Sequence, residues 1–169
     1  ILVKNGLLVL AEAGRPGISE PKVVCGFAPL ASLGAGQVIF SLAPRINAAG
    51  RVASAETALE LLCAGDCDSA ADLARRLDGY NTQRRQEEER ITEEAVLQAE
   101  ASLNEPALVI AGKDWNQGVI GIVASRLVEK YHKPTLVLCA DGETLKGSGR
   151  SISGFDLHDG LARCAGELE

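Results

Sequence analysis

Residues 107–139, ALVIAGKDWNQGVIGIVASRLVEKYHKPTLVLC, decide the fold. Ala107–Ala111 is a short run without a polar residue, as a buried strand requires. Gly118–Tyr131 then places Ile120, Val123, Ala124, Leu127, Val128 and Tyr131 at helical spacing on one face. Pro134 stops that helix, and Thr135–Cys139 (TLVLC) is a second apolar run. Strand, helix and strand of these lengths predict a βαβ unit with parallel strands and a right-handed crossover. Asp141-Gly142 is a hairpin-turn signal, so a third strand is expected over about Glu143–Arg150, antiparallel to the second. Asp156 can cap a last helix carrying Leu157, Leu161, Cys164 and Leu168 on one face, with Asp159 completing an acidic capping-box variant.

Upstream, Asn81–Arg90 (NTQRRQEEER) contains no apolar residue. A helix polar all round bridges domains through solvent or is held by its own charge pairs. Arg84–Glu88, Arg85–Glu89 and Arg90–Glu94 have the required i,i+4 spacing, each pair contributing about 0.3 kcal/mol. Apolar residues return at Ile91, Ala95 and Ala99. A connecting helix is therefore expected from about Tyr80 to Leu103, leaving one domain and entering another. Before it, Ser54 can cap a helix bearing Ala55, Leu59 and Leu62, Gly65 can end it, and Asp68 or Ser69 can start a second helix with Leu73 and Leu77. Ile1–Leu10 reads as the tail of a helix or as a strand, Gly14–Gly17 as a turn, and Leu33–Phe40 as a short helix or strand. The expected fold class is α/β: two α/β lobes joined by a long connecting helix, the second lobe a mixed sheet with a βαβ unit and a hairpin. The expected divisions are residues 1–53, 54–104 and 105–169.

The 169 residues are 46% hydrophobic and 24% charged, which excludes wholesale disorder. No apolar run reaches the length of a membrane span, no secretory signal is expected, and a cytoplasmic location is expected. Methionine is absent, at position 1 too, which suggests a processed product or an excised piece. The five cysteines include no Cys-x-x-Cys; free, mostly buried thiols are expected. His132 and His158 are not spaced to complete a zinc site with them. The net charge of −6 argues at first against a nucleic-acid partner. Its distribution removes the objection. Residues 54–104 carry 12 acidic against 5 basic side chains, whereas residues 1–53 carry 2 against 5.

Two segments look unlike scaffold. In Pro44–Arg51 (PRINAAGR), two arginines and an asparagine lie close together, Pro44 fixes φ, and Gly50 permits an unusual backbone. The guanidinium forks of Arg45 and Arg51 suit phosphate oxygens, and Asn47 can bond a base edge or lock the loop; a surface turn with solvated arginines is the plain alternative. In Lys146–Ser151 (KGSGRS), Gly147 and Gly149 can let backbone N–H groups approach an anion as in a nest. Ser148, Arg150 and Ser151 add donors suited to a phosphate; a flexible Gly-Ser hairpin strand is the alternative. Asp114–Gly118 (DWNQG) precedes a helix N-terminus, another natural anion site, while Trp115 is expected to pack rather than stack on a base. No metal cluster, nucleophile elbow or His-Glu-x-x-His is legible. On these residues the chain binds an anion and carries no complete catalytic machine.

Phe40–Ala43 followed by PRINAAGR resembles the motif that ends the catalytic domain of RecJ-type single-strand-specific DNA exonucleases, of the DHH phosphoesterase superfamily. Trp115–Leu127, the Lys133-Pro134-Thr135 turn and Gly147–Ser151 resemble the associated DHHA1 domain. The resemblance implies a 5′-to-3′ exonuclease of DNA repair and recombination that degrades single-stranded DNA with Mn²⁺ or Mg²⁺. It implies metal ligands upstream of Ile1 and a Gly-Gly-His motif beyond the last helix, so that no catalytic residue, metal ligand or bound metal is expected on this chain. Residues 1–53 would end the catalytic domain, 54–104 connect, and 105–169 form most of a substrate-binding DHHA1 domain, with DNA held in a cleft. By the same resemblance Arg45 and Arg51 contact DNA or support the cleft, Asn47 organises the loop, and Ser148 and Arg150 hold a 5′ phosphate. A DHH relative cleaving oligonucleotides or cyclic dinucleotides, and a non-catalytic nucleic-acid-binding module, are the rival readings. Exposed apolar surface at Ile1–Gly36, cut from its partners, would favour self-association.

Overall fold

The structure, a computed structural model, describes residues 1–12 and 14–167 and divides into two units, Ile1–Arg85 and Gln86–Glu169. In chain order the first unit has α1 (Leu2–Glu12), α2 (Pro16–Val24), α3 (Ala35–Gln37), a π-helical turn (Val38–Leu42), α4 (Ala43–Val52), α5 (Glu56–Cys63) and the beginning of α6 (Cys67–Ala101). The second has the rest of α6, β1 (Leu108–Gly112), α7 (Gln117–Tyr131), β2 (Thr135–Asp141), β3 (Thr144–Arg150), α8 (Leu157–Arg163) and a 3₁₀ turn (Ala165–Glu167). The α/β class holds, with all three strands in the second unit. Among the described residues of the first unit every regular element is helical, so Ile1–Leu10 takes the helical of its two readings. Leu168, assigned to the last helix, lies outside the described residues.

Helix α2 was not legible in the pattern. Pro16 sits in its first turn, where a missing N–H goes unused. The core of the first unit is built from small residues: Ala49 of α4, Ala58 and Leu61 of α5, and Ala70, Ala74 and Leu77 of α6. Lys22 is fully buried, and its ammonium donates to the carbonyls of Leu10 (2.6 Å), Pro29 (3.1 Å) and Ala31 (3.3 Å). One charge thereby ties the end of α1 and the 29–31 segment to α2, with all three of its donors used. Helix α1 buries none of its residues, and Ile1, Leu2, Val3, Leu8 and Val9 are exposed.

The two helices expected on either side of Tyr80 are a single helix of 35 residues. Gly79 interrupts nothing, because it keeps helical backbone and a side chain there would meet no atom within 4 Å. Each half is anchored by its own buried stripe, Ala70–Ala74–Leu77 in the first unit and Ile91–Ala95–Ala99 in the second. Asp66 opens α6 by accepting the Ser69 N–H (2.8 Å), and this bond holds its carboxyl below the usual range. The Asn81–Arg90 stretch is not solvated all round. Asn81 and Glu88 are buried, and Glu88 pairs with Arg126 of α7. Arg90 pairs with Glu94 as expected, and also with Glu87 (both 2.9 Å).

In the second unit β2 is central, parallel to β1 and antiparallel to β3. The stripe of α7 (Val119, Ile120, Val123, Ala124, Leu127) is buried, as are Leu108, Ile110, Val137 and Cys139 on alternate strand positions. The other sheet face is half open: Val109 is exposed and Leu136 and Leu138 are only partly buried. The strands, read as buried on both faces, are buried on one, because α8 covers the second face incompletely. Asn116 caps α7 by accepting the Gly118 N–H (2.8 Å), and His132 ends it in the left-handed region. Trp115 packs as expected: it is 4% exposed, and its indole N–H donates to Glu94 (2.8 Å). That bond, then Arg90, keeps the Glu94 carboxyl below its ordinary pKa. The five cysteines are free, but only Cys139 is buried. The thiol pattern is therefore more exposed than expected, since Cys63, Cys67 and Cys164 fall at helix ends.

Two glycines test this packing with opposite signs. Gly79→Ala should raise stability by about 0.5–1 kcal/mol, since Ala suits a continuous helix better; a loss in urea unfolding would mean that α6 breaks there. A Cβ on Gly112 would lie 1.9 Å from the Trp115 ring. Gly112→Ala should therefore cost about 1–3 kcal/mol by overpacking. The emission of the only tryptophan should shift to the red as its ring is displaced.

Candidate phosphate-binding site

Pro44–Arg51, expected to be a loop, is helical throughout as part of α4. Pro44 does not break it, because Pro44 falls in the first turn of α4, where the register changes from the π turn to α; the Ala43 N–H still donates to Val38. Gly50 accordingly has no unusual φ. The helix separates the three expected site residues. Asn47 and Arg51 are one turn apart on an exposed face. Arg45 lies on another side, where Nε donates to Asp78 of α6 and Nη1 to the Ser41 carbonyl (both 2.8 Å). Arg45 is thus a tie between α4 and α6 within the first unit. Burial chiefly raises the pKa of nearby Cys25, with Arg45 opposing, so that thiol is kept protonated.

The Gly147–Ser151 residues lie in the second unit, along β3 and just past it. They do not form a nest: Gly147 and Gly149 are extended strand residues without positive φ. Their lack of a side chain serves packing instead. A Cβ on Gly147 would lie 2.3 Å from Leu138, and one on Gly149 would lie 2.6 Å from Leu157 of α8 and 2.9 Å from Leu136. Alternation then sends Ser148 and Arg150 to the opposite face, opposite Val137 and Thr135 of β2 and toward α7. Ser151 is turned away from this pair, its hydroxyl donating to the Phe155 carbonyl (2.6 Å).

On the α7 side the Arg150 guanidinium is fixed by three bonds. Nε donates to Ser125 Oγ (3.1 Å), and Nη1 donates to Ser148 Oγ (3.1 Å) and to the Gly149 carbonyl (2.7 Å). Ser125 and Gly121 of α7 complete the group. Ser125 was not singled out from the sequence; only its place on the same helix side as Gly121, one turn away, could have pointed to it. Lys146 pairs with Asp141 across the hairpin, which raises its pKa. Chemically the arrangement can hold an anion: it is an exposed, oriented cation beside a hydroxyl, with no carboxylate among the atoms that fix it. Among the described residues no three His, Cys, Asp or Glu side chains converge as metal ligands, and no helix is long and apolar enough to cross a membrane.

Residues 104–169 match the model of the DHHA1 domain family. Over 167 residues the chain is 39% identical to the single-stranded-DNA-specific exonuclease RecJ of Bacillus subtilis, covering 97% of this chain and 21% of that protein. Over 170 residues it is 40% identical to RecJ of Dickeya dadantii, covering 96% and 29%. The fold superposes on the crystal structure of RecJ in complex with Mn²⁺ from Thermus thermophilus with a TM-score of 0.85 at 32% identity, covering 99% of this chain and 24% of that one. A RecJ structure with Mg²⁺ from the same organism gives a TM-score of 0.82 at 31% identity, covering 99% and 25%. The chain spans between about a fifth and three tenths of the length of the two curated relatives. By sequence over nearly all its length and by its fold, the chain is similar to one segment of the RecJ exonucleases, and its residues 104–169 match the DHHA1 domain family.

Proposed function

We propose that this chain is the substrate-holding segment of a metal-dependent 5′-to-3′ single-stranded-DNA exonuclease of the cytoplasm, acting in DNA repair and recombination. The observation that carries this reading is the oriented pair of Ser148 and Arg150 on β3, in a chain similar throughout to RecJ. Ser148 and Arg150 bind the 5′ phosphate of the strand, and Gly147 and Gly149 let β3 present them by keeping the far face of the strand flat. Asn47 and Arg51 contact the DNA backbone from the exposed side of α4. Arg45 acts behind them, through Asp78. Residues 1–53 end a DHH catalytic domain, 54–104 connect, and 105–169 are the DHHA1 part. RecJ structures holding Mn²⁺ or Mg²⁺ support use of one of these ions by the whole enzyme. The resemblance assigns the ligands of such an ion to the part of the catalytic domain upstream of Ile1.

Two outcomes check this. The 169-residue chain alone, incubated with Mn²⁺ and single-stranded DNA, should release no nucleotides; activity in a clean preparation that Arg150→Ala abolishes would refute the assignment of the chemistry elsewhere. In the full chain that carries this segment, Arg150→Ala should weaken binding of 5′-phosphorylated strands by roughly tenfold or more, as expected for a lost charge-assisted bond. Strands ending in a 5′ hydroxyl should be affected much less.

A further inference from the structure

The donors around Arg150 lead to two residues on α7. A guanidinium carries five N–H donors. Three are used on Ser125, Ser148 and the Gly149 carbonyl. Among the described residues the two N–H groups of Nη2 have no partner. Ser148 accepts one of the three bonds and keeps its own O–H to donate. Ser125 has nothing left to give: its hydroxyl donates to the Gly121 carbonyl (3.1 Å) and accepts from Arg150 Nε. It is a brace, not a ligand.

Gly121 shows where the unused donors meet. A Cβ placed on it would lie 2.9 Å from Ser148 Oγ and 3.2 Å from Arg150 Nη2. Ser148 and Arg150 therefore lie close against α7 where Gly121 carries no side chain. We propose that Ser125 is a positioning residue that aims Arg150 at a terminal phosphate, with the bare Gly121 letting Ser148 and Arg150 lie against α7. The proposal rests on the reading of Ser148 and Arg150 as phosphate donors, and extends it to a second element. An arginine held only by its own strand would swing about its side-chain torsions. The bond to Ser125 locks the guanidinium plane before the ligand arrives, which lowers the ordering cost of binding.

The test uses the full chain carrying this segment, without divalent metal so that no strand is cut. Anisotropy titrations with 5′-phosphorylated and 5′-hydroxyl single strands yield a ratio of affinities. Ser125→Ala should reduce that ratio about five- to tenfold, with the 5′-hydroxyl affinity unchanged, and Ser125→Thr should restore most of it by keeping the hydroxyl. Gly121→Ala should reduce the ratio at least as much, because its methyl would displace Ser148 and Arg150 from their places against α7. An unchanged ratio in Gly121→Ala, or in Ser125→Ala while Arg150→Ala abolishes discrimination, overturns the proposal. An unchanged ratio in Arg150→Ala overturns the phosphate reading beneath it.

Discussion

Burial of the α7 stripe against one face of β1 and β2 is the contact on which the second unit depends. Val119, Ile120, Val123, Ala124 and Leu127 leave water together with Leu108, Ile110, Val137 and Cys139. Each fully buried aliphatic side chain contributes about 1.5–3 kcal/mol of transfer free energy. This packing sets the distance between helix and sheet. At that distance Ser125 reaches Arg150 across the edge of the layer, and Gly121 lies against Ser148. The second half of α6 is fitted to the same pair: Gln98 exchanges hydrogen bonds with Ala111 of β1, and Glu88 and Glu94 hold Arg126 and Trp115. The site is thus a by-product of core packing, with rigid elements carrying the donors.

Glycine does different work in different places. Gly147 and Gly149 looked like an anion nest because paired glycines in loops commonly build one. In a strand their effect is steric. They let Leu136, Leu138 and Leu157 lie close on one face, and so leave Ser148 and Arg150 as the side chains β3 offers to the other. Gly121 and Gly112 are bare for similar reasons, one beside the donors and the other beneath the Trp115 ring. A glycine in a helix or strand and a glycine in a turn are indistinguishable as letters, and only the neighbour that would collide with a Cβ separates them.

The acidic surplus also reads differently once folded. Residues 54–104 hold most of it, and part of it is structural: Asp66 caps α6, Asp78 holds Arg45, and Glu88 is buried against Arg126. A net charge of −6 therefore describes the long helix more than any binding face. The donor-bearing strand β3 lies outside that helix in the chain.

Local periodicity was enough to determine the second unit's βαβ order, its hairpin, Asp156 as a helix start, and Trp115 as a packing residue. These depend on neighbours within one turn or one strand pair, and the alternation of side chains encodes them directly. The donors Ser148 and Arg150 stand out in the sequence because they are concentrated in a short segment. What the letters left open depends on partners far along the chain. PRINAAGR became a helix because Ala48 and Ala49 are buried in the packed first unit, although Pro44 and Gly50 locally favour a turn. Helix α6 runs unbroken through Gly79 because buried stripes on both sides hold it. Ser125 meets Arg150 only because tertiary packing brings a serine and an arginine 25 positions apart to hydrogen-bonding distance. A one-dimensional pattern records which groups can donate, whereas packing against other elements decides which donors are spent on the fold and which are left for a ligand.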